Sequence, residues 1–390
     1  MTTDTSEKGL EALIVAAMIR PPTAVAAGPA WIAGDPKAYD RAWTADLGHL
    51  RAFLAATQPP LVAALDLEND SPTRQKFLAR LQGEIGKRGV IDVLRHGIKH
   101  GPHEIALFFG TPSPGNPKAV QRFAQNRFSV TRQLRYSRDD TAHALDLALF
   151  INGLPIATFE LKNSLTKQSV EEAVEQYRRD RNPREKLFEF GRCMAHFAVD
   201  DSQVMFCTHL KGKDSWFLPF NKGWNDGAGN PPNPGGLKTD YLWREILTPS
   251  SLTDIVENYA QIVERRDPKT GKVKRDQLFP RFHQLDVVRT LLADAQARGA
   301  GRRVLIQHSA GSGKSNSIAW LAHQLVRLAT DAGAVFDSVV VVTDRRILDQ
   351  QIRDCVAGKA GNALGCAGSE PFAAGLVATL RTGLNGEDRP

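Results

Sequence analysis

The chain has 390 residues, 42% of them hydrophobic and 24% charged, with a formal net charge of +7. That length suits two domains with sizeable cores, and the balance is that of a soluble globular protein. No run approaches the roughly 18 apolar residues needed to span a bilayer, and Met1 to Lys8 lacks the basic start and apolar core of a secretory signal. A cytoplasmic location without a membrane partner is therefore expected. The modest positive excess is compatible with a polyanionic partner. Cys193, Cys207, Cys355 and Cys366 are scattered, without C-x-x-C or zinc-site spacing, and read as reduced structural residues.

Ser6 to Ile19 reads as an amphipathic helix closed by Arg20-Pro21-Pro22, and mixed helical patterns continue to about residue 99. Ile105 to Phe109 is predicted as a strand, ended by the Pro- and Gly-rich stretch Gly110 to Pro117. Phe128 to Tyr136 alternates residue types at the strand period. The apolar runs His143 to Ile151 and Pro155 to Leu161 are joined through Asn152-Gly153, a hairpin signal because both residues tolerate positive φ. Ser169 and Glu172 form a capping-box pattern, each side chain expected to satisfy the other's backbone donor. Val170, Ala173, Val174 and Tyr177 then share one helical face. His196 to Val199 and Val204 to Thr208 predict a second hairpin, and Asn221 to Gly236 an irregular surface loop.

The basic stretch Arg265 to Arg275 is the expected junction. It divides a first domain (1–260) from a second (276–390) by a linker (261–275). Beyond it the rhythm becomes helix, strand, glycine-rich loop, helix, strand. Helices are predicted over His283 to Arg298 and Asn316 to Leu328, with buried strands at Arg303 to Ile306 and Val339 to Val342. The fold class is α/β.

Asp146, Glu160 and Lys162 interrupt otherwise apolar strands, where an unpaired charge is costly unless it binds something. Two carboxylates and a lysine suit phosphodiester cleavage. A hard divalent ion held by Asp146 and Glu160 neutralises developing charge, and the lysine orients or deprotonates water or stabilises the phosphate. Glu160 and Lys162, two apart on a strand, share a face. A strict two-residue Asn152-Gly153 turn would set Asp146 against Phe159 and turn Glu160 away. An odd loop or a bulge is needed, and a three-residue loop with Gly153 left-handed is the expected solution.

Val304 to Ser315 reads as strand, glycine-rich turn and helix start. Backbone N–H groups of Gly311-Ser312-Gly313 can close around phosphate, Lys314 adds charge and Ser315 can ligate Mg²⁺. The general pattern wants glycine where this chain has His308. Gln284 lies where an adenine-reading glutamine would stand, and Thr343 to Gln350 follows the last strand as a polar, basic cluster.

Together these residues resemble the restriction (motor) subunit of type I restriction-modification enzymes, over nearly the whole chain. The resemblance includes Ser6 to Glu11, Phe128 to Gln133, Asp146 with Glu160-Leu161-Lys162-Asn163, and Tyr177 to Asp180. It continues through Phe217 to Gly223, Gly227 to Pro231, Arg281 to Gln284, His308 to Ser315 and Thr343 to Arg346. It implies a PD-(D/E)xK nuclease-like domain followed by a partial RecA-like lobe of superfamily 2 helicase type. It implies Mg²⁺ and ATP as cofactors, double-stranded DNA as substrate, and modification and specificity subunits as partners. Tyr177 enters the site as the tyrosine of the family's Q-x-x-x-Y element, whose glutamine position is Ala173 here. No Asp-Glu-containing strand follows Val342, so the chain is expected to be an N-terminal fragment unable to turn over ATP by itself, with Gly358 to Pro390 poorly ordered. Two other functions would use the same parts: a stand-alone repair or recombination nuclease-helicase, and a non-catalytic DNA-binding or docking fragment.

Overall fold

A computed structural model describes residues 7–19, 28–112, 115–139, 143–163, 167–266, 270–331 and 333–342. The Thr343 to Gln350 cluster, the expectation for 358–390, Cys355 and Cys366 lie outside these residues. Contacts divide the chain into two units, Met1–Ile262 with Gln277–Phe279, and Val263–Asp276 with Pro280–Pro390.

In the first unit, helix α1 (Glu7–Ile19) precedes strand β1 (Trp31–Ala33) and a small hairpin of β2 (Tyr39–Asp40) and β3 (Ala45–Asp46). Helices α2 (Leu47–Thr57), α3 (Pro59–Ala64), α4 (Pro72–Arg88) and α5 (Val90–His96) follow, then the hairpin β4 (Ile98–His100) and β5 (His103–Ile105), and α6 (Pro117–Ala124). Next come β6 (Phe128–Arg135), β7 (Ala144–Ile151), β8 (Leu154–Leu161), α7 (Val170–Arg179), β9 (Ala195–Val199), β10 (Val204–Cys207), β11 (Leu218–Pro219) and α8 (Pro249–Asp254).

One mixed sheet runs β1-β6-β7-β8-β9-β10-β11. β8 lies at its centre, antiparallel to β7 and parallel to β9. Every residue of β8 is buried, which is why its sequence is apolar at both parities and not alternating. A parallel pair needs a crossover, and α7 supplies it, burying Val170, Ala173, Val174 and Tyr177 as its periodicity predicts. The Glu172 carboxylate accepts from the Ser169 N–H at 3.2 Å. The reciprocal contact from the Ser169 side chain to the backbone of Glu172 completes the expected capping box, and the Val170 N–H goes to Asp200 Oδ2 at 2.8 Å.

The strand expected over Ile105 to Phe109 ends at Ile105. Side-chain amides take the backbone groups that a neighbouring strand would have paired. Gln58 both accepts from the Ala106 N–H (2.9 Å) and donates to its carbonyl (2.8 Å). Asn152 donates to Leu107 O at 2.9 Å, and Asn126 serves Phe109 in both directions. The segment thus satisfies its polar groups without a ladder.

Asn152 (φ 51°) and Gly153 (φ 81°) form a plain two-residue turn, with Ile151 paired to Leu154. The expected three-residue loop is therefore wrong. A Cβ on Gly153 would sit 2.2 Å from the Asp46 carbonyl oxygen and 2.7 Å from Leu50 N, so the close approach of these backbones as well as the positive φ requires glycine there. Gly153→Ala should cost about 1–3 kcal/mol from its backbone conformation alone. Urea denaturation would measure this, and a loss below half of that range would mean that the turn relaxes freely.

The stretch expected as a linker instead forms strands, β12 (Gln261–Arg266) and β13 (Val273–Leu278), paired as a two-stranded sheet. In the second unit, helices α9 (Phe282–Arg298) and α10 (Lys314–Leu325) match their predicted spans closely. A small hairpin of β14 (Ala329–Thr330) and β15 (Gly333–Ala334) follows. The predicted buried strands do not form. Residues 303–306 and 339–342 carry no strand, with Leu305 92% and Val342 88% exposed. An apolar run becomes a buried parallel strand only when strands flank it and helices cover both faces. Among the described residues no strand pairs with either run.

Candidate active site and nucleotide loop

The register of β7 and β8 creates the first site. Ile151 pairs with Leu154 and Phe150 with Pro155, but Leu149 pairs with Ala157, so Ile156 is an extra residue on β8. Beyond this bulge Leu147 lies opposite Phe159. One further step of the same register sets Asp146 opposite Glu160, the parity that an unbulged two-residue hairpin forbids.

Asp146 is half-buried. Its Oδ2 accepts from the Leu161 N–H at 2.7 Å and its Oδ1 from Gln133 Nε2 at 3.3 Å. Glu160 is wholly buried, and its Oε1 accepts from Arg181 Nε at 2.6 Å. Arg181 is itself buried, donates through Nη2 to Ala144 O at 2.8 Å, and lies 5.8 Å from the centre of the Tyr136 ring. Burial pushes the Glu160 carboxyl up to about 8. The neighbouring Asp146 pushes the same way, and the Arg181 and Lys162 charges oppose the rise only in part. Lys162, two residues on, is also buried, and its backbone N–H continues the ladder to Val199 O at 2.9 Å.

The structure thus gathers Asp146, Glu160 and Lys162 at one end of the central hairpin. Tyr177 lies deeper, fully buried, with its hydroxyl 2.8 Å from Thr158 Oγ1, which also meets His196 Nδ1 at 2.8 Å. It builds the floor beneath Glu160. Ala173 is buried in the core cluster around Tyr177. Sequence reasoning missed Arg181, which carries no spacing signal, and gave Gln133 no role in the site although the resemblance included Phe128 to Gln133. It also missed Asp200, whose position just beyond β9 could have suggested a cap for the crossover helix.

The residues fit a Mg²⁺-type ion. Two carboxylates from adjacent strands offer hard oxygen ligands, and Glu160 Oε2 is buried with no hydrogen-bond partner among the described residues. No group of three or more His, Cys, Asp or Glu side chains able to hold a metal occurs among the described residues. An ion here would keep several waters, as Mg²⁺ prefers.

In the second unit, Gly311 (φ 74°) and Gly313 (φ 82°) are left-handed and lead into α10. Lys314 Nζ donates to the carbonyls of His308 and Ser309, both at 2.9 Å. Gln284 is buried against the loop. Its Oε1 accepts from the Arg281 N–H and its Nε2 donates to Gly313 O, each at 2.9 Å. A Cβ on Gly313 would lie 2.4 Å from that amide nitrogen, so glycine lets the loop and Gln284 meet. His283 Nε2 lies 3.0 Å from Ser312 O. Ser312 Oγ is buried without a partner, and Ser315 is half-buried in the first turn. The structure therefore assembles Gln284 with Gly311 to Ser315, although the flanking strands are missing.

A mixed sheet carrying a carboxylate-lysine cluster, followed by a unit with a glycine-rich loop at a helix start, defines the class: an α/β protein of two units. Residues 99–215 match the family model described as type I restriction enzyme R protein N terminus. Residues 283–382 match that of the SWI2/SNF2 ATPases. Over residues 99–215 the chain is thus similar to the N-terminal region of type I restriction enzyme R proteins. It is 24% identical over 239 residues to the type I restriction enzyme HindI endonuclease subunit of Haemophilus influenzae, covering 60% of this chain and 21% of that protein. It is 23% identical over 289 residues to a Methanocaldococcus jannaschii protein named "Putative type I restriction enzyme MjaVIIIP endonuclease subunit", covering 72% and 26% respectively. The chain thus spans about a quarter of the length of the curated relatives it matches. No helix among the described residues is long and apolar enough to cross a membrane.

Proposed function

We propose that the first unit is a PD-(D/E)xK-type, Mg²⁺-dependent DNA nuclease, and that the second belongs to an ATP-binding lobe of RecA-like, superfamily 2 type. On this reading the chain works as part of a type I restriction enzyme, with double-stranded DNA as substrate and modification and specificity subunits as partners. The observation that carries the reading is the Ile156 bulge, which turns Asp146 and Glu160 to the same side as Lys162.

Asp146 and Glu160 would hold the ion. When bound, Mg²⁺ neutralises charge developing on the phosphate and makes water nucleophilic at neutral pH. Lys162 sets a cation beside that position, where it orients the attacking water or steadies the phosphate charge. Arg181 holds Glu160 from behind, and the Leu161 N–H holds Asp146, so both carboxylates are oriented before substrate arrives. Plasmid cleavage with Mg²⁺ tests this, by the chain alone and with its modification and specificity partners. Activity should vanish in Asp146→Ala, Glu160→Ala and Lys162→Ala, and cleavage surviving the triple variant would overturn the assignment.

Lys314, Ser315 and the loop N–H groups would receive the phosphates of ATP, with Gln284 bracing the loop. Lys314→Ala should weaken binding of a fluorescent ATP analogue about 10- to 100-fold, the equivalent of losing a charge-assisted contact. Unchanged affinity would remove the nucleotide from this loop.

A further inference from the structure

Gln133 stands in the middle of β6, between Arg132, paired with Leu147, and Leu134, paired with Leu145, which places it across from Asp146. Its φ is +48°, a left-handed conformation that glutamine rarely adopts, least of all inside a strand. The distortion has a visible result. A single amide nitrogen, Gln133 Nε2, donates to Glu11 Oε2 at 2.7 Å and to Asp146 Oδ1 at 3.3 Å.

Both acceptors are carboxylates, so the amide has one workable orientation: turned over, its carbonyl would face two anions. Glu11 comes from α1 and is 1% exposed, and its other oxygen accepts from Arg132 Nε. A buried carboxylate held on both oxygens is a firm anchor. The chain Arg132–Glu11–Gln133–Asp146 therefore reaches from the first helix to the candidate metal site.

We infer that Gln133, anchored by Glu11, is a positioning residue for Asp146. It fixes the carboxylate's rotation against the Leu161 N–H so that Asp146 meets an incoming divalent ion pre-aligned. This rests on the nuclease reading above. Outer-shell partners of this kind typically change metal affinity about 10- to 100-fold when removed.

The test is a Mn²⁺ titration of the full chain, following the hydrated-ion electron paramagnetic resonance signal as it is lost on binding. Gln133→Met keeps the length and removes the donor. Gln133→Asn suits the left-handed backbone but is one methylene short of the bridge, so it serves should the methionine variant fail to fold. Each should weaken Mn²⁺ binding about 10-fold. In the cleavage assay kcat should fall while KM for DNA stays constant. Wild-type Mn²⁺ affinity in either folded variant would overturn the inference while leaving the nuclease reading intact. If Asp146→Ala itself leaves Mn²⁺ binding unchanged, the nuclease reading fails, and this inference with it.

Discussion

Glu160→Gln should abolish DNA cleavage while making the fold less sensitive to alkaline pH. Charge stabilisation through a bound metal is worth several kcal/mol. On the proposed assignment of Asp146 and Glu160 as ligands, losing one of them should therefore slow cleavage about 1,000-fold or more. Stability moves the other way. In the folded chain the Glu160 carboxyl is pushed up from its ordinary value of 4.5 to about 8, chiefly by burial. Below the ordinary value both folded and unfolded chains hold the proton, so nothing changes. Between there and about 8 the folded chain keeps a proton that the unfolded chain has released, and stability falls as pH rises. Glutamine cannot titrate, so the variant should lose less thermal stability than wild type between pH 5 and pH 9 in metal-free buffer. Melting curves at both pH values decide the point. Equal pH dependence in the two proteins would mean that Glu160 titrates as an ordinary carboxylate.

The second large effect is expected at Arg181. Its guanidinium donates to Glu160 and to Ala144 O from within the core, and the second oxygen of Glu160, Oε2, has no hydrogen-bond partner among the described residues. Breaking a buried pair by removing one partner typically costs about 3–5 kcal/mol, because the other charge is left uncompensated. Arg181→Ala should approach that loss at pH 9, where Glu160 is ionised, and fall short of it at pH 6, where the carboxyl holds its proton. Arg181→Lys keeps the charge but not the fork that reaches two acceptors at once, so it should recover only part of the loss. Denaturant unfolding at the two pH values measures this. A cost below 1 kcal/mol at both would show that water or a rearranged side chain replaces the guanidinium.

Local chemistry was readable wherever a side chain acts on its own backbone or its own face. Asn152-Gly153 makes its turn because both residues accept positive φ, and Val170, Ala173, Val174 and Tyr177 line one side of α7 because helical spacing puts them there. The glycines of the Gly311 to Ser315 loop open into α10 for the same kind of reason. Apolar runs were less trustworthy guides. Arg303 to Ile306 and Val339 to Val342 have strand composition but no partner strands among the described residues, and composition cannot supply a neighbour. Ile105 to Phe109 has apolar character too, yet Gln58, Asn126 and Asn152, distant in sequence, take up its backbone groups.

For the candidate site the division is similar. The carboxylates, the lysine, and the shared face of Glu160 and Lys162 are legible from the order of residues alone, since strand residues two apart point alike. That order also required an odd residue somewhere in the hairpin. That this residue is Ile156 within β8, and not a third loop residue, is seen only in the register of the folded hairpin, since bulge and longer loop both restore the parity. Tertiary structure alone also chose Arg181 and Gln133 as supports for the two carboxylates. Those contacts join different elements of the fold, and their energies come from burial and geometry that no local pattern records.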